Sequence, residues 1–175
     1  MPKPSSKTVI LMRHAKSDWE PVDGAYPADI DRPLNARGCK DAIRIAEWLA
    51  ENLNEPVTVL VSPARRAQET AAIVASKLPE RSCKTEENLY LASAEMLEKI
   101  ADGEAAPCIL LVAHNPGMEE LVATLAPDIA VAGRFRKLMP TSGIYGFKCR
   151  DGKLREGGVE LLFHQRPKVL NDECE

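Results

Sequence analysis

The chain has 175 residues, 45% of them hydrophobic and 28% charged, the make-up of one soluble globular domain with a full core. Its 23 basic and 26 acidic residues give a formal charge of -3, which argues against a general nucleic-acid binder and leaves anion binding to local clusters of Arg and Lys. The opening MPKPSSKT leads into no apolar signal segment, no apolar run reaches membrane-spanning length, and the scattered Cys39, Cys83, Cys108, Cys149 and Cys174 form neither a disulfide framework nor a zinc motif, so reduced thiols in the cytoplasm are expected.

In chain order, residues 9–12 (VILM) read as a buried strand that stops at Arg13 and His14. Residues 24–31 form a polar, Pro-containing loop, either a rim over the sheet or a passive connector. Ala42, Ile45, Ala46 and Leu49 recur at helical spacing and predict an amphipathic helix over residues 36–53. Residues 57–61 and 109–113 are further buried parallel strands, and Ala67, Ala71, Val74 and Leu78 mark a second helix. Leu97, Ile100 and Ala101 mark a third helix capped by Ser93, and Met118, Leu121, Val122 and Leu125 a fourth. Residues 144–148 and 159–163, joined by a turn near Asp151-Gly152, predict an antiparallel edge. The expected fold is a single α/β domain, a three-layer α/β/α sandwich with a mostly parallel sheet, filling residues 1–175 with its core over about residues 8–164.

Three strand ends carry the chemistry. Residues 57–61 run into Ser62-Pro63, and residues 109–113 into His114-Asn115-Pro116. Ser62 and Asn115 are expected N-caps with Pro at the first helical position, so each strand meets a helix terminus that favours anions. Helical phase puts Arg65 with Glu69 and Ser76 on the polar side, and Arg66 with Thr70 and Ile73 towards the sheet. If the three strands are adjacent, Arg13, His14, Arg66 and His114 share the crevice beyond their carboxyl ends, where open α/β sheets bind ligands. Two guanidiniums and a cationic His114 would then hold a phosphoryl group, and a neutral imidazole at His14 could attack phosphorus.

Four motifs in this order resemble the histidine phosphatase superfamily, the phosphoglycerate-mutase-like fold, and within it the short SixA-type branch. LMRHAKSDW resembles the family's Arg-His-Gly opening and implies His14 as the phosphorylated nucleophile. DRPLNARGCKDA (31–42) resembles its Arg-Pro-Leu-Thr-x-x-Gly segment. SPARRAQETA (62–71) places the second family arginine on Arg66, and VAHNPGMEEL (112–121) places the second histidine on His114. The resemblance implies a metal-independent phosphatase with no cofactor, working through a phosphohistidine intermediate. Its substrate would be a phosphohistidine protein; a small phosphate ester, a mutase-like reaction and a non-catalytic phosphate-binding module are the alternatives.

Three departures are visible. Ala15 replaces the usual Gly, which a backbone with negative φ tolerates. Asn35 replaces Thr, and both can cap a helix. Asn88 falls near the place of the family's glutamate acid, with Glu86 and Glu87 close by in uncertain register. A missing acid suits a P–N substrate, because imidazole leaves more easily than an alkoxide. Asp18 is read either as a replacement donor or as a loop carboxylate that orients a neighbour. Arg32 reaches the phosphate rim or pairs with Asp29 or Asp31, while Ser17, Lys16 and Asn115 are further phosphate-side candidates. His164 reads as structural or surface, Trp19 and Trp48 as packing residues, and the histidines lack metal-ligand spacing. The depth of the mouth depends on residues 20–31 and 128–140.

Overall fold

The computed structural model describes residues 6–21, 23–132, 137–155 and 158–172. Residues 133–136, part of the 128–140 stretch expected to shape the mouth, lie outside these, as do Val22 of the 20–31 loop and Cys174. Six strands form one sheet in the order β3-β2-β4-β1-β5-β6. β1 (Lys7–Arg13), β2 (Val57–Val61), β3 (Arg81–Thr85) and β4 (Cys108–Ala113) are mutually parallel where they pair, while β5 (Ile144–Cys149) and β6 (Val159–Gln165) add an antiparallel hairpin beside β1.

The central strands are apolar on both faces because both faces are covered. Along β1, Val9 and Leu11 enter the core beneath α3 (Ala94–Gly103) and α4 (Gly117–Leu125). Ile10 and Met12 enter the opposite core beneath α1 (Ala36–Asn52) and α2 (Arg65–Lys77). All four are essentially inaccessible to water, and each such side chain contributes about 1.5–3 kcal/mol over its exposed state. This alternation produces the three layers. The short helices α5 (Pro127–Ala132) and α6 (Pro167–Asp172) complete the covering.

α1 buries the predicted stripe of Ala42, Ile45, Ala46 and Leu49, and Asn35 caps it by accepting from Gly38 N at 2.8 Å. Ser93 caps α3 by accepting from Met96 N at 3.3 Å. Two expected caps are corrected. α2 starts at Arg65 after Ala64, and α4 at Gly117 after Pro116, so neither Ser62 nor Asn115 is an N-cap. The Ser62 hydroxyl is instead shared between Ala64 N (3.3 Å) and His114 Nε2 (2.7 Å). β3, absent from the sequence reading, is a polar edge strand exposed along its whole length.

Candidate active site

β2, β4 and β1 are neighbours, so their carboxyl ends open onto one crevice. Arg13 ends β1 and His14 follows it, His114 follows β4, and Arg66 stands in the first turn of α2. His14, Arg66 and His114 are buried at 6%, 2% and 2% exposure, and the two imidazole rings lie 5.1 Å apart between centroids. Arg66 ties them together: its Nε donates to His14 Nε2 at 3.3 Å and its Nη2 to His114 Nδ1 at 3.3 Å. Arg65 points away and pairs with Glu69 at 2.7 Å, as helical phase predicts.

These bonds assign the tautomers. His14 Nδ1 lies 2.7 Å from the Ala15 carbonyl oxygen, which only accepts, so Nδ1 carries the proton and the Nε2 lone pair faces Arg66. His114 accepts from Arg66 at Nδ1 and therefore donates from Nε2 to the Ser62 hydroxyl. Burial pushes His14 down to about 3, opposed by its bond to Ala15 and reinforced by His114, Arg66 and Arg13. Burial likewise pushes His114 down to about 4, helped by Arg66 and opposed by Asp29. Both rings are thus neutral at pH 7 in the free protein, so the cationic His114 expected around a bound phosphoryl group is not its resting state.

The loop that carries His14 is pinned from two sides. Ala15 N donates to Thr70 Oγ1 at 3.0 Å, and Thr70 in turn donates to the Arg66 carbonyl at 2.6 Å. Ala15 is absent from the residues of positive φ, so replacing Gly there costs no strain. On the other side α1 approaches so closely that a Cβ on Gly38 would stand 2.1 Å from the Lys16 carbonyl oxygen. Ser142 N donates to the Arg13 and His14 carbonyls at 3.1 and 3.2 Å.

The sequence reading missed two residues that complete the cluster. Asp29, in a short 3-10 turn (Asp29–Asp31), accepts from Arg66 Nη2 at 3.0 Å, Arg32 Nε at 3.1 Å and the Tyr90 hydroxyl at 2.7 Å. Burial alone would raise the Asp29 carboxyl, but Tyr90, Arg66 and Arg32 outweigh it and hold it below the usual range. Tyr90 also sets its ring edge-on to His114 at 5.6 Å. The 24–31 loop is therefore a rim of the site. Arg32 occupies that rim in its ion pair with Asp29, its guanidinium carbon 3.8 Å from the Trp19 ring centroid. Trp19 is 56% exposed, a correction to its reading as a packing residue, whereas Trp48 does pack, edge-on to Phe163.

Other candidates sit differently. Arg13 Nη1 donates to the Met139 carbonyl at 3.1 Å, while its Nε, like Ser142 Oγ, is buried with no hydrogen-bond partner among the described residues, and both are donors that an oxyanion could use. Asn115 spends its amide nitrogen on Glu119 Oε2 (2.8 Å) and the Met139 carbonyl (3.0 Å), leaving only an acceptor, Oδ1, without a partner among the described residues. It is placed to brace the 138–142 segment rather than to hold phosphate. Asp18 accepts from Asn35 Nδ2 at 2.9 Å, the orienting alternative, and Ser17 pairs through its backbone with Leu34. Among the described residues no hydrogen bond links Ser17 or Asp18 to His14, Arg66 or His114. Glu86 accepts from Asn88 at 2.8 Å, on an exposed turn, and Lys16 is exposed. His164 lies exposed against Tyr145, ring centroids 5.4 Å apart. No group of three or more His, Cys, Asp or Glu among the described residues is arranged to hold a metal ion.

A neutral imidazole nucleophile, a guanidinium that spans it and a second imidazole, and a parallel-sheet carboxyl edge together define a phosphoryl-transfer enzyme of the phosphoglycerate-mutase-like fold. Comparison with known proteins gives the family. The model of the histidine phosphatase superfamily (branch 1) matches residues 9–90. An uncharacterised protein of Mycobacterium tuberculosis is 39% identical over 142 residues, covering 76% of this chain and 84% of its own. The phosphohistidine phosphatase SixA of Escherichia coli is 32% identical over 128 residues, 68% of this chain and 74% of its own. A solved structure of the protein histidine phosphatase SixA complexed with tungstate superposes with a TM-score of 0.70 at 25% identity, over 93% of this chain and 99% of that one. The chain belongs to the histidine phosphatase superfamily, in its SixA-type branch, and is a phosphatase.

Proposed function

We propose that the protein hydrolyses phosphohistidine on a protein substrate through a covalent phospho-His14 intermediate, without a cofactor. The observation that carries the reading is the pair of His14 contacts that set its tautomer: Nδ1–H is held by the Ala15 carbonyl, so the lone pair is on Nε2, where it accepts from Arg66 Nε at 3.3 Å until a phosphoryl group takes that donor. Nε2 attacks phosphorus, and the substrate P–N bond breaks with its electron pair returning to the substrate ring. A ring-protonated phosphohistidine then departs as neutral imidazole and needs no external acid. Phospho-His14 keeps its Nδ1 proton, so it is an imidazolium whose charge the Ala15 carbonyl supports. Water attacks phosphorus, the Nε2–P bond breaks with its electron pair returning to the His14 ring, and the water's protons leave with the released phosphate, so His14 regains its neutral state.

Arg66 and Arg13 hold the phosphoryl oxygens, with Arg32 at the rim. An incoming dianion raises the affinity of His114 for a proton, so the ring that is neutral in the free protein gains charge as substrate binds. The acid-poor surroundings support a P–N substrate over an ester. Glu86 and Asn88 bond each other on an exposed turn, Asp18 is spent on Asn35, and Asp29 is held ionised by its donors. The similarity to the SixA proteins supports the same substrate class. The four described cysteines are free thiols, which fits a cytoplasmic enzyme, and no helix among the described residues is long and apolar enough to cross a membrane.

The test is a comparison of kcat/KM on a phosphohistidine peptide and on 3-phosphoglycerate, with 2-phosphoglycerate monitored. Faster turnover of the phosphohistidine peptide is expected. Preferential hydrolysis of 3-phosphoglycerate, or its conversion to 2-phosphoglycerate, would contradict the reading.

A further inference from the structure

Beside the phosphate crevice lies a second concavity that the proposed chemistry does not use. A groove of about 650 Å³ continues into one of about 530 Å³, the two sharing Arg37, Asp41, Pro167 and Lys168. Its walls are α1, the 137–141 segment and the start of α6. Among the described residues six cations line it, Arg37, Lys40, Arg44, Lys137, Arg166 and Lys168, against one carboxylate, Asp41. Asp41 is buried and already occupied, 3.6 Å from both Arg37 and Arg44. Lys40, Lys137 and Lys168 are exposed and pair with no carboxylate among the described residues. In a chain whose formal charge is -3, this concentration of positive charge is local.

The groove and the crevice share one edge of the sheet. Ile144 pairs with Met12 on one side and with Gln165 on the other, so the end of β6 that leads into Arg166 and Lys168 stands beside the end of β1 that leads into His14. Thr141, in the groove wall, precedes the Ser142 that bonds the Arg13 and His14 carbonyls. The groove is therefore within reach of a macromolecule whose phosphorylated side chain occupies the crevice.

We propose that this groove docks an acidic segment of the phosphorylated protein substrate. The inference rests on the phosphohistidine-protein reading above and names the surface of that substrate. Three features select such a segment. Arg37, Lys40 and Arg44 are spread over about 10 Å of helix rather than converging on one anion. Of the four cations without a carboxylate partner among the described residues, three are lysines, hydrated point charges suited to diffuse complementarity, and only Arg166 carries the fork that captures a phosphate bidentately. Pro140, Pro167 and Val169 give the groove apolar ground for a peptide, and among the described residues no aromatic side chain lines it for base stacking.

The test compares wild type with a Lys40→Glu/Lys168→Glu variant, which leaves the Asp41 pairs and the phosphate crevice intact. Four probes are used: p-nitrophenyl phosphate, a fluorescein-labelled Glu-Ala peptide, an oligothymidylate, and phosphohistidine peptides with acidic or neutral flanks. Turnover of p-nitrophenyl phosphate is expected to be unchanged. Binding of the Glu-Ala peptide is expected to weaken about tenfold in the variant and to fall with salt. Wild type is expected to prefer the acidic-flanked phosphopeptide through a lower KM, and the variant to lose that preference.

Equal peptide binding by both proteins would overturn the proposal. So would tighter binding of the oligothymidylate than of the peptide, which assigns the groove to nucleic acid, or full displacement of the peptide by inorganic phosphate, which makes it a small-anion site. If wild type cleaves neither phosphopeptide while groove-dependent peptide binding persists, the substrate reading falls and the acidic docking site stands.

Discussion

Replacing Arg66 by Lys keeps one positive charge in the crevice and removes the fork. In the structure the guanidinium uses all three nitrogens: Nε to His14 Nε2, Nη2 to His114 Nδ1 and Asp29 Oδ2, and Nη1 to the Asp29 carbonyl. A single ammonium nitrogen lacks the planar fork that lets separate nitrogens face the His14 ring, the His114 ring and Asp29 at once. The variant loses at least one preorganised, charge-assisted donor to the phosphoryl oxygens, worth about 3 kcal/mol in the transition state, or roughly 10²-fold in kcat. Arg65→Lys is the internal control, because Arg65 is exposed and its only ion pair among the described residues is with Glu69 on the outer face of α2. Steady-state turnover of p-nitrophenyl phosphate by both variants, with thermal melts to confirm folding, makes the measurement. If Arg66→Lys stays within about threefold of wild type, or Arg65→Lys falls as far, the clamp geometry is wrong.

Other outcomes follow from the same contacts. Thr70→Val leaves the buried Ala15 N–H without its acceptor, so it should destabilise the fold by about 1–3 kcal/mol and lower kcat; an unchanged urea midpoint would show that the loop is held by something else. His14 and His114 have folded-state pKa values near 3 and 4, below the unfolded value of 6.5, so as pH falls the unfolded chain takes up protons first. The stability due to their neutral burial is complete above about pH 6.5 and declines between there and about pH 4, by up to about 1.4 kcal/mol per unit for each ring. Urea midpoints between pH 7.5 and pH 5 should therefore fall less in a His14→Asn/His114→Asn variant than in wild type; parallel curves would contradict the neutral pair. An NMR titration should likewise show neither ring taking up a proton between pH 8 and pH 5 in the phosphate-free protein.

What could be read from the sequence was whatever leaves a periodic or local trace. The strands β1, β2 and β4 announce themselves because both faces are covered, and α1 because its apolar stripe repeats with the helical period. Arg66 was separable from Arg65 for the same reason, since helical phase alone sends one inward and the other to Glu69. β3 left no trace because an exposed polar edge strand has no buried face to print an alternation. Asp29 and Tyr90 were invisible as site residues because their contacts bridge 37 and 61 positions and are set by loop paths that no periodicity encodes. The neutral state of His114 in the free protein was not legible because a strand-end position does not reveal burial, and it is burial beside Arg66 that holds the ring neutral before a phosphoryl group binds. Asn115 has the chemistry of a cap and of a phosphate donor, but Glu119 and the Met139 carbonyl claim its amide nitrogen.

The covalent role of His14 is tested most directly by phosphorylating the protein with a radiolabelled phosphodonor, quenching in alkali and mapping the label. The account predicts an acid-labile, alkali-stable label on the peptide that contains His14, absent in His14→Ala and still formed, more slowly, in His114→Ala. Label on His114, or turnover by His14→Ala at the wild-type rate, would contradict it.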